Sequence, residues 1–257
     1  ICPQMFERLP AMYVAFQMEQ SVSSRWFTAD YLRTLENSFA ILDYSTHNIR
    51  YLSDSGLSLK QINYLPVGYV AGYAPDTPVD EDYDVVFYGD VNNERRQEFL
   101  QALGARFKVK VISEVFGEDL KRELSRARLI VNIHYYPGAL LETTRIWECL
   151  SLDRLVVSEQ SVDMDQHDEL EGLVDFVGIG KIDEMVDRVA YWLDNEDLRR
   201  ERVASTKRHL ARNGGRFEYF FYRFLLATDN LSFDDFWSLA GSRLRLPLDR
   251  VCLNLPE

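Results

Sequence analysis

The stretch NIHYYPGALLETTRIWECLSLDRLVVSE, residues 132–159, decides how this sequence folds. It leaves an apolar run, passes through a histidine, two tyrosines and a Pro-Gly turn, continues as a helix-like segment and ends in a second apolar run. Glu142, Arg145 and Glu148 follow at three-residue steps, so a helix would gather them on one side, away from the apolar Ile146. The stretch predicts a strand, a turn, a helix and a second strand, with acidic and basic groups where the first strand ends.

The same alternation of strand and helix extends outward from this stretch. Buried strands rich in Val, Ile and Leu that take turns with helices are typical of a parallel sheet covered on both faces. Such sheets bind ligands beyond the carboxyl ends of their strands, at a topological switch point. Strands are predicted at Asp84–Tyr88, Lys108–Ile112, Leu129–Ile133, Leu155–Ser158 and Val174–Val177, and helices at Asn93–Leu103, Glu118–Arg126, Leu141–Leu152 and Ile182–Leu193.

The part of the chain before this alternation is shorter. Its predicted strands are Tyr13–Gln17, Ala40–Asp43 and Ile62–Leu65. Thr28 is predicted to cap a helix that has Leu35 and Phe39 on its apolar face. Residues 68–82 are rich in Gly, Pro and acid and have no periodicity, which indicates a linker. The predicted organisation is a short first half at residues 1–68, a linker at 69–82, a second half at 83–195 and C-terminal helices at 196–257 that pack back across the domains.

The composition argues against several function classes. A formal charge of −12 disfavours a general nucleic-acid binder, because phosphate neutralisation requires a basic face. The three cysteines are far apart, so neither a disulfide framework nor a zinc site is indicated, which favours a reducing compartment. No apolar run reaches the length of a membrane span, and no signal peptide is visible. The acidic DMD at Asp163–Asp165 has the form of a metal-binding pattern, but its setting indicates a surface loop, so no metal is predicted.

The predicted ligand edge carries groups that suit a phosphorylated, hydroxyl-bearing ligand. A helix amino terminus favours an anion such as a diphosphate, and Gly138 in the Pro-Gly turn would let the backbone approach it. Glu142 and Glu148 suit sugar and ribose hydroxyls, while Arg145 can neutralise phosphate or hold either acid. An ordinary salt-bridged helix face is the alternative for these three residues. His134, at the strand end, is either a base or a hydrogen-bonded core histidine.

These residues carry a resemblance to a known family. From about Tyr83 to Leu193 the sequence resembles the nucleotide-sugar-binding half of GT-B glycosyltransferases of the group 1 type, in which a helix bears two glutamates separated by seven residues. WECLSLDRLVVSE matches the second half of that motif, with Glu148 at the ribose-binding position. The first glutamate position holds Leu140, and the nearest acid is Glu142. FQMEQSVSSRWF and DYSTHNIRYL resemble the first domain of a bacterial surface-polysaccharide branch.

The resemblance implies an α/β, GT-B-like fold with two Rossmann-like halves and parallel sheets, the first half incomplete. It implies a glycosyltransferase that moves a sugar from a nucleoside diphosphate sugar to a hydroxyl of a glycan or lipid-linked glycan, without a cofactor. Glu142 and His134 are the predicted catalytic residues. The predicted nucleotide-sugar-binding residues are Gly89, Arg95, Arg96, Tyr135, Gly138, Arg145 and Glu148. The predicted acceptor side comprises Glu19, Gln20 and Ser21, for which a structural turn is the alternative.

The setting of this activity is also predicted. The basic stretch Arg199–Arg216 could touch anionic lipid near a lipid-linked acceptor, with a solvated helix face as the alternative. The predicted location is the cytoplasm, at the inner face of the membrane. A non-catalytic nucleotide- or glycan-binding module of a larger transferase and a nucleotide-sugar epimerase are the competing hypotheses. A Rossmann-like half has about five or six strands. The shorter first half and the strand-like tail RVCLNLPE at residues 250–257 therefore predict a segment of a longer transferase or a transferase with a reduced first domain.

Overall fold

The computed structural model describes residues 1–23, 26–77 and 79–241. The chain divides into two compact units. The first unit comprises Ile1–Met18, Leu32–Gly68 and the chain from Arg212 onward, and the second comprises Glu19–Tyr31 and Tyr69–Ala211. The units are therefore not continuous in sequence: residues 19–31 and the segment predicted as a linker both group with the second unit.

Eight strands and nine α-helices are present in the described residues. The strands are β1 (Val14–Gln17), β2 (Ala40–Asp43), β3 (Ile62–Tyr64), β4 (Tyr83–Tyr88), β5 (Val109–Ile112), β6 (Ala127–Asn132), β7 (Leu155–Glu159) and β8 (Asp175–Val177). The helices are α1 (Ala29–Glu36), α2 (Thr46–Asp54), α3 (Glu94–Gly104), α4 (Gly117–Leu124), α5 (Thr143–Ser151), α6 (Ile182–Asp194), α7 (Glu196–Asn213), α8 (Arg216–Ala227) and α9 (Phe233–Gly241). None of these described helices combines the length and the apolar character that crossing a membrane requires.

The first unit is built on a small parallel sheet. Its strands lie in the order β1-β2-β3. Leu42 of β2, Leu65 just after β3 and Phe224 of α8 form a buried cluster, so α8 covers this sheet. Helices α8 and α9 belong to this unit, whereas α7 belongs to the second unit as far as Ala211.

The second unit is built on a five-stranded parallel sheet in the order β5-β4-β6-β7-β8. Val85 on β4 pairs with Leu129 on β6, which pairs in turn with Leu155 on β7. All three are buried, and Phe99 of α3 and Met185 of α6 join them in one apolar cluster. Burial of these aliphatic side chains explains why the strands read as continuous apolar runs rather than as an alternating pattern.

The topological switch point of this sheet lies between β4 and β6. From β4 the chain runs to β5 on one side and then returns to β6 on the other. The loop after β4, residues 89–93, and the loop after β6, residues 133–142, therefore lead away from each other. The carboxyl edge of the sheet beside such a point is where ligands bind in folds of this type.

The predicted strands and helices are confirmed, and their ends differ from the predictions by a few residues. Thr28 caps α1 as predicted, since its hydroxyl oxygen accepts a hydrogen bond from the Tyr31 amide at 3.2 Å. One detail was wrong: α1 ends at Glu36, and the side chain of Phe39 is 58% exposed rather than part of an apolar helix face. The predicted tail strand at residues 250–257 lies outside the described residues.

Candidate functional site

A cavity of about 590 Å³ opens at the carboxyl edge of the second sheet, beside the switch point. Its walls come from the end of β4 and the loop that follows, from residues 112–117 between β5 and α4, and from Arg145 and Glu148 of α5. Gly89, at the end of β4, has a φ of +138°, which side-chain-bearing residues rarely adopt. Three of the predicted site residues, Gly89, Arg145 and Glu148, therefore line one cavity.

The carboxylate of Glu148 is held by two tyrosine hydroxyls. Tyr73 donates to Oε1 at 3.1 Å, and Tyr88 donates to Oε2 at 2.7 Å. Burial raises the pKa of Tyr73 to about 12, with Glu148 adding to the rise, and burial also raises the pKa of Tyr88. Both phenols therefore stay protonated and act as donors. A carboxylate oxygen can accept more than one hydrogen bond, so each oxygen of Glu148 keeps capacity for a ligand hydroxyl.

Arg145 is the cation among the described residues that line the cavity. Its guanidinium lies 4.9 Å from the centre of the Tyr88 ring, and its Nη1 donates to Oδ1 of Asn132 at 2.9 Å and to Glu142. Burial alone lowers the pKa of Arg145, but Glu142 and further partners raise it above its usual value. The side chain therefore supplies a fixed positive charge beside Glu148.

Glu142 lies just before α5 and is paired with two arginines. Its Oε1 accepts from Nη2 of Arg96 at 3.0 Å, and its Oε2 accepts from Arg145. Arg96 is 3% exposed and also donates to the carbonyls of Ile133 at 2.9 Å and Asp90 at 2.8 Å. Arg96 thus joins the loops that follow β4 and β6 across the switch point. Neither Glu142 nor Arg96 is part of the cavity wall.

Arg95 points to a different partner, although it is the neighbour of Arg96 in sequence. It forms a two-pronged ion pair with the fully buried Glu159 at the end of β7, one contact measuring 2.8 Å. Its Nη1 also donates to the carbonyl of His134 at 2.7 Å. Glu159 accepts further hydrogen bonds from the amides of His134 at 2.9 Å and Gly180 at 2.8 Å. The pair fastens the loops that follow β6, β7 and β8 to one another, away from the cavity.

His134 is fully buried at the end of β6. Among the described residues, neither ring nitrogen of His134 has a hydrogen-bond partner. Burial lowers its pKa and outweighs the opposite influence of Glu142 and Glu159. The imidazole is therefore neutral near pH 7 and does not line the cavity. The ring is thus buried as a core histidine would be, but among the described residues it lacks the hydrogen bonds of that alternative, and both roles stay predictions.

The loop between His134 and Glu142 is held by hydrogen bonds near each of its ends. The Tyr135 hydroxyl donates to the Asn92 carbonyl at 3.0 Å, and the Asn93 side chain donates to the Tyr135 carbonyl at 3.1 Å. Farther along, the Gln20 side chain donates to the Leu140 carbonyl at 3.0 Å and accepts from the Leu140 amide at 3.1 Å. Gln20 therefore completes the backbone hydrogen bonding of this loop, which agrees with a structural role better than with acceptor binding.

Three predicted site residues remain, namely Glu19, Ser21 and Gly138. Glu19 and Ser21 flank Gln20 in the segment that belongs to the second unit. Gly138 lacks a positive φ, and a β-carbon at this position would meet open space, so the turn itself does not require glycine there. The roles predicted for these residues stay predictions.

Asp163 corrects the interpretation of the DMD motif as a surface loop. Its side chain is 3% exposed, and its Oδ1 accepts from the Leu141 amide at 2.9 Å and from Ser161 at 2.6 Å. Its Oδ2 lies 3.2 Å from Nε2 of His167. Asp163 therefore anchors the backbone just before Glu142. In the described part of the chain, no three His, Cys, Asp or Glu side chains form a group that could hold a metal ion.

The basic stretch Arg199–Arg216 is partly neutralised. Arg199 is buried and donates to Glu81 at 3.1 Å, and Lys207 pairs with Asp153 at 2.5 Å. Arg216 donates to the Tyr64 hydroxyl at 3.1 Å. The contact of this stretch with a membrane stays a prediction.

Comparison with known sequences decides the family. Residues 78–215 match the family described as glycosyl transferase-like, which is more than half of the chain. The chain belongs to this family. No curated protein gives a significant match to the sequence. The glycosyl transferase-like match covers the second unit from just before β4 to beyond α7, and thus the whole wall of the cavity.

Solved structures show the same fold at low sequence identity. TarM of S. aureus gives a TM-score of 0.57 at 10% identity, over 83% of this chain and 49% of TarM. HepE of Anabaena, solved with UDP and glucose, gives a TM-score of 0.62 at 13% identity, over 85% of this chain and 71% of the HepE chain. WaaG, a glycosyltransferase involved in lipopolysaccharide biosynthesis, gives a TM-score of 0.62 at 12% identity, over 87% of this chain and 76% of the WaaG chain. The chain thus spans about half the length of TarM.

These matches confirm the predicted family and the predicted GT-B-like α/β fold with two parallel-sheet units. Sequence reasoning gave no site role to Tyr73 and Tyr88, which hold Glu148, or to Asp163 and His167, which pair beside the backbone that precedes Glu142. Tyr88 ends a predicted strand, so its position at the ligand edge was foreseeable. Tyr73 lies in a segment without periodicity, and no sequence signal pointed to it.

Proposed function

We propose that the protein transfers a sugar from a nucleoside diphosphate sugar to a hydroxyl of a glycan or lipid-linked glycan, in the synthesis of polysaccharide or glycoconjugate. One observation carries the proposal. Beside the switch point of its sheet, the second unit has a cavity in which a carboxylate with free accepting capacity, Glu148, lies one helical turn from a fixed cation, Arg145. A nucleotide sugar offers the matching groups, namely a ribose diol and a diphosphate.

The two groups have distinct roles in this proposal. Glu148 accepts hydrogen bonds from the ribose hydroxyls, and Arg145 binds the diphosphate. Glu142 orients Arg145, because both of its carboxylate oxygens are taken by arginines. Arg95 and Arg96, predicted as diphosphate ligands, instead hold the loops around the switch point. This assignment replaces the predicted direct contact of Glu142 with the sugar.

Catalysis then rests on orientation and charge rather than on a covalent partner. Binding the donor and the acceptor together removes most of the entropic cost of their encounter. As the bond to the sugar breaks, negative charge grows on the departing diphosphate, and a preformed cation stabilises it most effectively in a site shielded from water. Arg145 supplies that charge, and the amino end of α5 adds a favourable dipole.

Two solved structures bear on the acceptor. WaaG is described as involved in lipopolysaccharide biosynthesis, and TarM was solved with α-GlcNAc-glycerol and UDP. Both support a glycan acceptor, and the proposed location of the enzyme is the cytoplasmic face of a membrane. The competing hypothesis, a non-catalytic binding module, is less favoured because the family match covers the complete cavity wall.

The proposal is tested first by nucleotide binding. Thermal unfolding is followed with UDP, GDP, ADP and CMP, beginning with UDP because HepE and TarM were solved with it. A ligand at about one hundred times its dissociation constant adds about 2.7 kcal/mol to the free energy of unfolding. Replacing Glu148 by Ala should weaken binding of the best nucleotide by about 1.5–3 kcal/mol, the scale of a hydrogen bond to a charged group.

The matched control is Glu98→Ala, which removes an exposed glutamate on α3 and should leave binding unchanged. Hydrolysis of a nucleotide-sugar panel, with and without glycan acceptors, then separates a transferase from a binding module. Failure of all four nucleotides to stabilise the fold would contradict the proposal.

A further inference from the structure

The segment that carries Tyr73 is fastened along α5. The Val70 amide donates to Oγ of Ser151 at 3.0 Å, and the Tyr73 hydroxyl donates to Glu148 at 3.1 Å, one helical turn away. Lys121 of α4 places its Nζ 4.8 Å from the centre of the Tyr73 ring. The ring of Tyr73 is thus held by α4, and its hydroxyl is directed at the carboxylate.

Tyr88 reaches the same carboxylate from the sheet. It is the last residue of β4, and its hydroxyl donates to the second oxygen of Glu148 at 2.7 Å. Its ring is packed against the guanidinium of Arg145, at 4.9 Å. One tyrosine therefore holds each oxygen of Glu148, and the two come from different parts of the fold.

Two anchored oxygens fix the plane of a carboxylate, which otherwise rotates about its last torsion with little preference. Each anchored oxygen still has a lone pair for a further hydrogen bond. The pair of oxygens then presents two acceptors side by side, the arrangement that suits two neighbouring hydroxyl groups. A single ligand hydroxyl would use only half of this arrangement.

We propose that Tyr73 and Tyr88 are positioning residues that make the cavity selective for a nucleotide whose ribose carries both the 2′- and the 3′-hydroxyl. This inference rests on the proposed function, because it assumes that Glu148 receives the ribose. It adds that selectivity for the diol depends on two tyrosines that position Glu148 and do not themselves contact the ribose hydroxyls.

The test compares two probes on each protein: the best-binding nucleoside diphosphate of the panel and its 2′,3′-dideoxy analogue. The measured quantity is the ratio of their dissociation constants by calorimetry. For the wild-type protein this ratio should be about 10 to 100, the equivalent of one hydrogen bond to a charged group. Tyr73→Phe and Tyr88→Phe should each reduce the ratio at least about threefold, mainly because the nucleotide with the intact ribose binds more weakly.

Tyr191→Phe is the matched control, because Tyr191 is exposed on α6, away from the cavity wall. If Tyr73 or Tyr88 had a merely structural role, its substitution would weaken the binding of both probes equally and leave the ratio unchanged. An unchanged ratio in both variants, with a lower ratio in Glu148→Ala, would overturn the inference and leave the proposed function intact. A wild-type ratio near one would overturn the inference together with the ribose role of Glu148. If Tyr88→Phe does not fold, Tyr73→Phe decides alone.

Discussion

A β-carbon added at Gly89 would lie 2.9 Å from Nη2 of Arg145. Real β-carbons essentially never approach another heavy atom so closely, and the φ of +138° at Gly89 disfavours other residues independently. The guanidinium of Arg145 therefore occupies space that exists only because the residue directly after β4 is glycine. This relationship explains how a long cationic side chain from α5 can lie directly at the end of a neighbouring strand.

The first prediction concerns this contact. Gly89→Ala should strain the backbone by about 1–3 kcal/mol and displace the guanidinium of Arg145, so both stability and nucleoside diphosphate binding should decrease. Urea unfolding and calorimetry measure the two effects. Gly104→Ala at the end of α3 is the control, since a β-carbon there meets open space at an ordinary φ. Unchanged diphosphate affinity in Gly89→Ala would mean that Arg145 does not depend on this space.

The second prediction concerns the charge of Arg145. Arg145→Gln should weaken binding of UDP by about 1.5–3 kcal/mol and change binding of uridine little, because only the diphosphate needs the cation. If the nucleotide panel favours another base, its diphosphate and nucleoside replace this pair. Arg106→Gln serves as the control, since the Arg106 side chain is 52% exposed and pairs only loosely with Asp187, at 3.6 Å. Equal losses for both ligands would indicate that Arg145 is structural.

The third prediction concerns Asp43 at the end of β2. Its fully buried carboxylate accepts from the Ser45 amide and the Gln17 side chain, each at 2.8 Å. Burial raises its pKa to about 7, outweighing these hydrogen bonds, which lower it. The folded state therefore binds the proton more tightly than the unfolded state, whose value is near 4. The resulting stability is fully present below about pH 4 and is lost as the pH rises through about 7.

Asp43→Asn removes this titration. The free energy of unfolding of the wild type, relative to Asp43→Asn, should fall by up to about 4 kcal/mol between pH 4 and pH 8. Urea unfolding at several pH values measures the difference. For the control Asp54→Asn, at the exposed end of α2, the free energy of unfolding should vary with pH as it does in the wild type. A difference between wild type and Asp43→Asn that does not vary with pH would refute the assignment.

The fourth prediction concerns His167, which lies 3.2 Å from Asp163 and 3.6 Å from Glu169. Burial alone lowers its pKa, but these two carboxylates raise it to about 9. Because the folded value lies above the unfolded value near 6.5, the stabilisation is full below pH 6.5 and is lost as the pH rises through 9. Relative to His167→Gln, the wild type should lose about 2–3 kcal/mol over that range.

Equilibrium unfolding at intervals from pH 6 to pH 10 measures this loss. The exposed His209 on α7 provides the control substitution, His209→Gln. Parallel stability curves for wild type and His167→Gln would show that the ion pair contributes nothing.

Local patterns in the sequence were sufficient for the elements and for part of the site. The periodicity of apolar residues predicted β4 to β8 and the helices between them, because hydrophobic spacing is a property of neighbouring residues. The position of Glu148 and Arg145 at three-residue spacing on α5 followed from the same regularity. The ligand edge followed from the order of strands and helices, since parallel strands share one carboxyl edge.

The partners of the charged groups were decided by tertiary structure alone. Arg95 and Arg96 are neighbours in sequence, yet one pairs with Glu159 and the other with Glu142. Tyr73 reaches Glu148 across 75 positions of sequence. Such choices depend on which strands lie side by side and on which side chains the packing buries, and no local spacing encodes either. The sequence by itself therefore determined the α/β alternation and the sheet edge at which the cavity lies, whereas packing over long sequence separations decided which of its charged residues line that cavity.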